Sequence, residues 1–353
     1  MAFQNEYESA NVPPKIETVL VTGGTGYVAG WCIVELLRRG YQVRTTVRNL
    51  SKEKVVRSAV GAQIDSKDRL TFYAADLTED QGWDVAMKGC DYVLHVASPL
   101  GADNPKDPND LIIPARDGAV RVLRAAVNAK VRRVVMTSAC AAASPPSYRE
   151  DLVTDETFWS DPENKNLTAY MKSKTLAELA AWKFIKEHGS NTSLTTVLPG
   201  AVFGPVLTGS HLGSVQVIAR LLQGKVPGSP RVGLEVVDVR DLADIHIRAM
   251  ESPEAAGERF IAAGKFMWMS DIADILRAKL GTTASKVPTR VLPDIVIRFF
   301  AVFDPSLRAL VPSLSRKSRH TTEKARRVLG WSRRPAADTI VDCAKSLIAH
   351  NVV

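Results

Sequence analysis

Residues 19–30, V-L-V-T-G-G-T-G-Y-V-A-G, constrain the fold more than any other stretch of the chain. A short apolar run ends in a glycine-rich turn. The turn opens onto a helical pattern with Ile33, Val34, Leu36 and Leu37 on one side and Gly40 at its close. A strand that feeds such a turn and then a helix is the first half of a parallel βαβ unit. Gly23 permits the tight turn. Gly26 lets the backbone approach a pyrophosphate, whose charge meets the helix N-terminus. Ala29 takes the third small position, with Gly30 after it. Tyr27 and Val28, the first residues of the helix, join Gly23 and Gly26 as expected dinucleotide contacts. Glycine-rich turns are common, so the weight lies in the strand before this one and the helix after it.

The same alternation continues. Strands are expected over 42–48, 70–76, 92–98, 133–139 and 194–202, with helices near 111–129 and 167–188. This predicts an α/β fold, a Rossmann-type doubly wound parallel sheet with helices on both faces. After Val202 the pattern changes. Gly and Pro thicken, two short strands are expected over 234–239 and 259–262, and helices fill most of the rest. The expected division is a dinucleotide-binding domain over 14–202 with return segments about 233–262. A smaller, mostly C-terminal substrate-binding lobe takes 203–232 and 263–353. A chain of 353 residues with 45% apolar side chains has ample material for such a core.

The end of the second strand selects the dinucleotide. NAD enzymes place an acid there for the ribose 2′-hydroxyl. Here the run is V-R-T-T-V-R-N, with no acid before Glu53. Arg48 can pair with a 2′-phosphate, helped by Arg44 or Lys52, so NADPH/NADP is the expected cofactor. Asp76 and Leu77 end the third strand, where an acid can meet the adenine amino group. Ala97 and Ser98 end the fourth, beside the cofactor, while His95 points inward as a core histidine. Pro199 and Val202 end the sixth, where backbone groups can hold the nicotinamide amide.

Tyr170 and Lys174 lie four apart on the long helix and so share a face. A phenol with its ordinary pKa of about 10 exchanges protons poorly near neutrality. A neighbouring ammonium is expected to lower it, making Tyr170 a general acid for carbonyl reduction and a base for the reverse. Ser138, at the end of the fifth strand, could bond the substrate carbonyl opposite Tyr170. Cys140 has no histidine placed to make it a nucleophile. These residues all fall at the carboxyl ends of successive strands, the ligand edge of an open α/β sheet.

The net charge of +8 is uneven, because residues 286–334 hold twelve Lys/Arg against three Asp/Glu. No nucleic-acid reader motif accompanies them, and a solvated basic face is the expectation. Phe299, Phe300 and Phe303 read as core packing, with an apolar substrate mouth or weak contact with a membrane surface as alternatives. No apolar run reaches the ~18 residues of a membrane span, so no stable membrane insertion is expected. Residues 1–16 lack the apolar stretch of a secretory signal. The cysteines, Cys32, Cys90, Cys140 and Cys343, form neither a C-x-x-C pair nor a metal spacing, and no metal is expected. Free thiols suit a cytoplasmic protein, and monomer or homodimer are equally compatible.

Taken together, the motifs resemble the extended short-chain dehydrogenase/reductase family. The likeness is closest to its dihydroflavonol reductase, cinnamoyl-CoA reductase and microbial aldehyde (carbonyl) reductase branch. V-T-G-G-T-G-Y-V-A-G-W, H-V-A-S-P, Y-M-K-S-K-T-L-A-E-L-A-A-W-K, L-P-G-A-V-F-G-P and V-D-V-R-D-L-A-D-I-H carry it, over about residues 16–345. The resemblance implies NADPH-dependent reduction of an aldehyde or ketone, with Tyr170 as proton donor, Lys174 on the nicotinamide ribose and a serine orienting the substrate. Two departures stand out. The family's catalytic serine falls at Ala139, leaving Ser138 one residue early. Either the strand end twists to present Ser138, or Thr137, Ser144 or a water takes its place, or activity rests on Tyr170 and Lys174. The Asn and Gln that hold flavonoid hydroxyls fall at Ser144 and Glu235, which argues against a dihydroflavonol substrate. Ser98, Pro99, Leu100, Val202, Phe203, Leu207 and His211 are the candidate pocket residues. Competing readings are a steroid-type dehydrogenase, a nucleotide-sugar epimerase on the same fold, and a non-catalytic NADP-binding sensor.

Overall fold

The structure is a computed structural model that describes residues 16–99, 107–145, 152–165, 167–210, 213–317 and 319–353. Its centre is a seven-stranded sheet. In chain order the strands are β1 (Thr18–Val21), β2 (Gln42–Val47), β3 (Leu70–Ala74), β4 (Tyr92–His95), β5 (Arg133–Thr137), then Ser193–Pro199 and Arg259–Ala262. Across the sheet the order is Arg259–Ala262, Ser193–Pro199, β5, β4, β1, β2, β3, and every pairing is parallel. The doubly wound parallel sheet is as expected. β2 to β5 and Ser193–Pro199 end one to three residues short of the sequence reading, while Arg259–Ala262 ends where expected.

Period-two alternation builds a core on each face. Val19 and Val21 of β1 face one side with α1 (Tyr27–Arg38) and the helix Val239–Glu251. Leu20, between them, faces the other side. There it meets α3 (Trp83–Met87), α4 (Asn109–Asn128) and α5 (Ala169–His188). Another helix, α2 (Glu53–Gly61), sets only Val56 and Val60 into the first core.

The region after Pro199 differs from the expected continuous strand. The chain leaves the large sheet at Gly200, where a Cβ would lie 2.4 Å from the carbonyl oxygen of Glu235. Ala201–Phe203 then pairs with Gly233–Asp238 and, through it, with Lys265–Trp268 in a separate three-stranded sheet. The piece at 233–238, expected to return to the dinucleotide domain, therefore lies in this second sheet. The following Val239–Glu251 and Arg259–Ala262 do rejoin the large one. Phe203, Ile218, Val236, Met267, Ile272 and Ile340 form the lobe's own core, and Tyr27 packs against both this cluster and that of the large sheet.

Two surface readings are corrected. Phe299, Phe300 and Phe303 are not core residues, being 62%, 52% and 75% exposed. Part of the basic segment is ion-paired rather than simply solvated: Lys324 meets Glu258, Arg326 meets Glu323 and Arg334 meets Asp241. No helix among the described residues is long and apolar enough to cross a membrane.

Candidate active site

The glycine turn has the shape a pyrophosphate needs. Gly23 has a φ of +73°, and a Cβ there would lie 2.9 Å from that of Ala97. A Cβ on Gly24 would lie 2.4 Å from Thr45 Oγ1, so a second glycine, which the sequence reading had not singled out, is sterically required. Gly26 is the N-cap of α1, with extended backbone and no side chain to occupy the helix end. The turn is tied to β2 by Gly23 N–H donating to Thr46 Oγ1 (3.0 Å) and Gly24 N–H to the Thr46 carbonyl (2.8 Å). A cavity of about 80 Å³ lies over it, bounded by Lys52, Val55, Leu207 and Thr208. Gly26 N–H also turns inward, to the Gly23 carbonyl (2.8 Å), so the glycines shape the turn and the first-turn N–H groups of α1, those of Tyr27 and Val28, are the ones that fit a dinucleotide pyrophosphate at the helix N-terminus.

Arg48 stands exposed just beyond β2, and its charge reaches Asp76. Arg44 is not available to assist it. Its guanidinium donates to the carbonyls of Ala86 (3.2 Å) and Lys88 (2.7 Å) and covers the Tyr73 ring. Lys52, on the cavity wall, is the better-placed second cation. Asp76 accepts from the N–H (2.9 Å) and hydroxyl (2.8 Å) of Thr78, and the N–H bond is the main reason its carboxyl is held below the usual range. Leu77 packs against Gly118. The Tyr27 hydroxyl donates to the Gly204 carbonyl (2.9 Å), so only its backbone faces the turn's ligand, while Val28 is half-buried against the core.

At the end of β4, Thr22 Oγ1 accepts from the N–H groups of Val96 (3.0 Å) and Ala97 (2.9 Å). Its proton is then left for Nδ1 of His95, 3.0 Å away. His95 is the satisfied core residue expected, and burial, with Lys174 adding to it, pulls its pKa to about 3. Ala97, Ser98 and Pro99 follow it half-buried at the edge.

Thr168 Oγ1 caps α5 by accepting from Met171 N–H (3.2 Å), which puts Tyr170 in the first turn. Tyr170, Lys174 and Glu178 follow at spacing four along one face. Lys174 Nζ lies 6.0 Å from the centre of the Tyr170 ring. The expected depression of the phenol is absent: Tyr170 is 43% exposed as a residue, yet desolvation by the protein packed around it, and then the Cys140 thiol, push its pKa up to about 12. Burial lowers Lys174 to about 8, with Glu178 opposing.

Glu178, which sequence reasoning missed, anchors this helix. It is fully buried and accepts from Arg259 Nε (2.9 Å), Thr196 Oγ1 (2.7 Å) and Ser138 Oγ (2.6 Å). The Arg259 guanidinium also donates to the carbonyls of Glu156, Phe158 and Ala142 and lies 3.6 Å from the centre of the Trp159 ring. The ion pair is thus satisfied on both sides, as a buried pair must be. Ser138, expected beside the substrate, gives its hydroxyl to this anchor and is 2% exposed. Alternation along β5 explains the outcome, since a residue one place early points to the opposite face. The other hydroxyls are also engaged. Thr137 Oγ1 contacts His246 Nε2 at 2.7 Å, and Ser144 Oγ donates to the Cys140 carbonyl at 2.7 Å.

Beside Tyr170's neighbour Cys140 lies a second buried cluster. Glu235 accepts from the His320 N–H (2.8 Å) and meets His320 Nδ1 at 2.5 Å, while His320 Nε2 lies 3.2 Å from Ser144 Oγ. Cys140, Glu235 and His320 put their ligand atoms within 4.8 Å of one another. Burial holds the Cys140 thiol protonated, and its sulfur is directed to the Leu198 carbonyl (3.2 Å), so the group is a hydrogen-bonded wall without a nucleophile.

The pocket candidates separate. Phe203 is fully buried in the lobe core and is not a lining residue. Leu207 rests on Gly30 and the cavity over the glycine turn. Val202 is half-buried in the second sheet, and Pro199 is buried at the end of its strand. Leu100 and His211 lie outside the described residues.

A doubly wound sheet with a glycine turn, a basic residue after β2 and a tyrosine–lysine face at the ligand edge defines a dinucleotide-dependent α/β protein. The chain belongs to the NAD dependent epimerase/dehydratase family, which matches residues 19–263. Cinnamoyl-CoA reductase 1 of Petunia hybrida is 39% identical over 267 residues, 74% of this chain and 76% of that one. Dihydroflavonol 4-reductase of Arabidopsis thaliana is 35% identical over 270 residues, 74% of this chain and 69% of that one. Among solved structures, yeast methylglyoxal/isovaleraldehyde reductase Gre2 complexed with NADPH matches with a TM-score of 0.79 at 26% identity, covering 95% of this chain and 100% of that one.

Proposed function

We propose that the chain is an NADPH-dependent reductase that converts an aldehyde or ketone to the alcohol, with Tyr170 as proton donor. The observation that carries this reading is the shared α5 face of Tyr170 and Lys174, 6.0 Å apart at the ligand edge. The relatives and the Gre2 complex support both the reaction class and the cofactor.

The first-turn N–H groups of Tyr27 and Val28, reached across the side-chain-free glycine turn, would hold the pyrophosphate, Arg48 and Lys52 the 2′-phosphate, and Lys174 the nicotinamide ribose. Bound NADPH supplies the hydride. Tyr170 supplies the proton to the carbonyl oxygen. A phenol pushed up to about 12 is a weaker acid than an ordinary tyrosine, but it carries its proton near neutrality, and transfer to the developing alkoxide, about as basic as hydroxide, is still downhill. The reverse reaction needs the phenolate, which a raised pKa disfavours. Ser138 takes no part in the chemistry. The third hydroxyl of the family pattern is missing here, and Tyr170 and Lys174 carry the reaction.

The substrate class is a simple aldehyde or ketone and not a dihydroflavonol. Glu235 is bonded to His320 through both oxygens, Ser144 is bonded to Cys140 and close to His320, and both are buried, so neither presents a flavonoid hydroxyl with the amide that the resemblance calls for. NADPH oxidation followed against a panel of aldehydes, aryl ketones and keto esters tests the reading, with Tyr170→Phe as control. Cofactor binding without turnover of any carbonyl would favour the sensor reading instead.

A further inference from the structure

The structure sorts the basic C-terminal segment into two parts. Lys324, Arg326 and Arg334 are spent on ion pairs within the fold. The earlier part, 286–317, holds six Lys/Arg against two acids and contains an unusual surface. Ile295, Phe299, Phe300, Val302 and Phe303 are each between 52% and 76% exposed. They are adjacent: the Phe299 ring lies 5.4 Å from that of Phe300 and 6.0 Å from that of Phe303. Single exposed apolar residues are ordinary, but a contiguous aromatic group marks a contact surface.

We propose that this face docks the protein on an anionic lipid bilayer, lying on the surface without spanning it. The helix Asp294–Phe300 has the required asymmetry. Ile297 alone is buried against the lobe core, at 2% exposed, and Ile295, Phe299 and Phe300 project outward. At 3.6 residues per turn, Arg298 falls between these faces. Arg290 is exposed one residue before the exposed Val291. Arg308 sits at the aromatic rim, donating to the carbonyls of Ala301 (3.1 Å) and Val302 (2.9 Å). Asp294, the acid on this helix, is bonded to Ser315 (2.6 Å); Asp304 is the other acid of the segment. Apolar side chains that enter the headgroup boundary, flanked by cations that meet lipid phosphates, describe an interfacial anchor. The charge also chooses between occupants. A second copy across a two-fold axis would set this basic rim against itself, whereas an anionic surface complements it.

The test is flotation of the full chain with vesicles of phosphatidylcholine alone and of phosphatidylcholine with phosphatidylserine. Binding is expected only to the anionic vesicles and should fall with added salt. Arg290→Glu/Arg298→Glu should weaken it by about 25-fold or more, at roughly fivefold for each basic residue removed. Phe299→Ser/Phe303→Ser should abolish it. Because all four positions are exposed, NADPH binding and thermal stability should be unchanged in both variants, which separates lost docking from misfolding. Absence of binding to anionic vesicles, equal binding to neutral ones, or a concentration-dependent dimer dispersed by Phe299→Ser/Phe303→Ser would overturn the proposal.

Discussion

Ser138 donates its hydroxyl proton to Oε2 of Glu178 across 2.6 Å, inside the core and one turn along α5 from Lys174. The serine that the motif offers for catalysis instead fixes the helix on which catalysis depends. Ser138→Ala should leave kcat/KM unchanged while lowering stability by about 1.5–3 kcal/mol, the usual loss for a hydrogen bond to a charged group. Urea unfolding and steady-state kinetics on the same variant check both halves.

Glu178→Ala tests the anchor more severely. It leaves the Arg259 guanidinium buried without its carboxylate, at 8% side-chain exposure. A loss of about 3–5 kcal/mol is expected, together with a fall in activity as Tyr170 and Lys174 lose their fixed placement. Retained stability in thermal unfolding would contradict the anchoring role.

Lys174 trades stability for function. Burial lowers its pKa from 10.5 to about 8, so the folded state binds this proton less tightly than the unfolded state. The penalty is present in full below pH 8 and fades as pH rises toward 10.5. Lys174→Met should therefore stabilise the cofactor-free protein at pH 7 by about 3 kcal/mol, with the gain vanishing above pH 10, and should abolish turnover. In the parent, NADPH affinity should weaken as pH rises through about 8; titration calorimetry at several pH values reads this directly.

Two buried histidines set the acid limit. Burial, as the leading cause, holds His95 at about 3 and His246 at about 4. Between pH 6.5 and about 4 the unfolded chain takes up two protons that the folded chain refuses, so stability falls with pH. The slope should approach about 2.7 kcal/mol per pH unit, and His95→Gln should halve it. Denaturant unfolding across that range supplies the slope.

Arg48 should decide between the dinucleotides. Arg48→Glu removes charge-assisted bonds to a 2′-phosphate at about 1.5–3 kcal/mol, roughly a 10- to 100-fold loss of NADPH affinity, and supplies an acid for the NAD ribose. Unchanged NADPH/NADH selectivity would remove Arg48 from the cofactor site.

The sheet was legible because its signals are local. Val19 to Val21 alternate between two cores and Gly23 takes a conformation only glycine adopts freely, and each leaves a mark within a few residues. The break at Gly200 was not legible, because what forbids a side chain there is the Glu235 carbonyl, far away in sequence. The same holds for Ser138, whose role depends on Glu178 and Arg259 arriving from two other elements. Glu178 did leave a signal, an acid at the third place of the Tyr170–Lys174 spacing on a helix face turned inward. The aromatic residues near 300 were misread because helical period alone cannot say whether an apolar stripe faces a core or solvent. His320, which is bonded to both oxygens of Glu235, comes from a segment with no motif at all.

The central claim is that Tyr170 delivers the proton in an NADPH-dependent carbonyl reduction. Its most direct test is single-turnover NADPH oxidation by the parent and Tyr170→Phe with a carbonyl the parent reduces, alongside NADPH binding measured for both. The account predicts unchanged cofactor affinity and a rate lowered by at least about 10²-fold in the variant; a variant that turns over at the parent rate would contradict it.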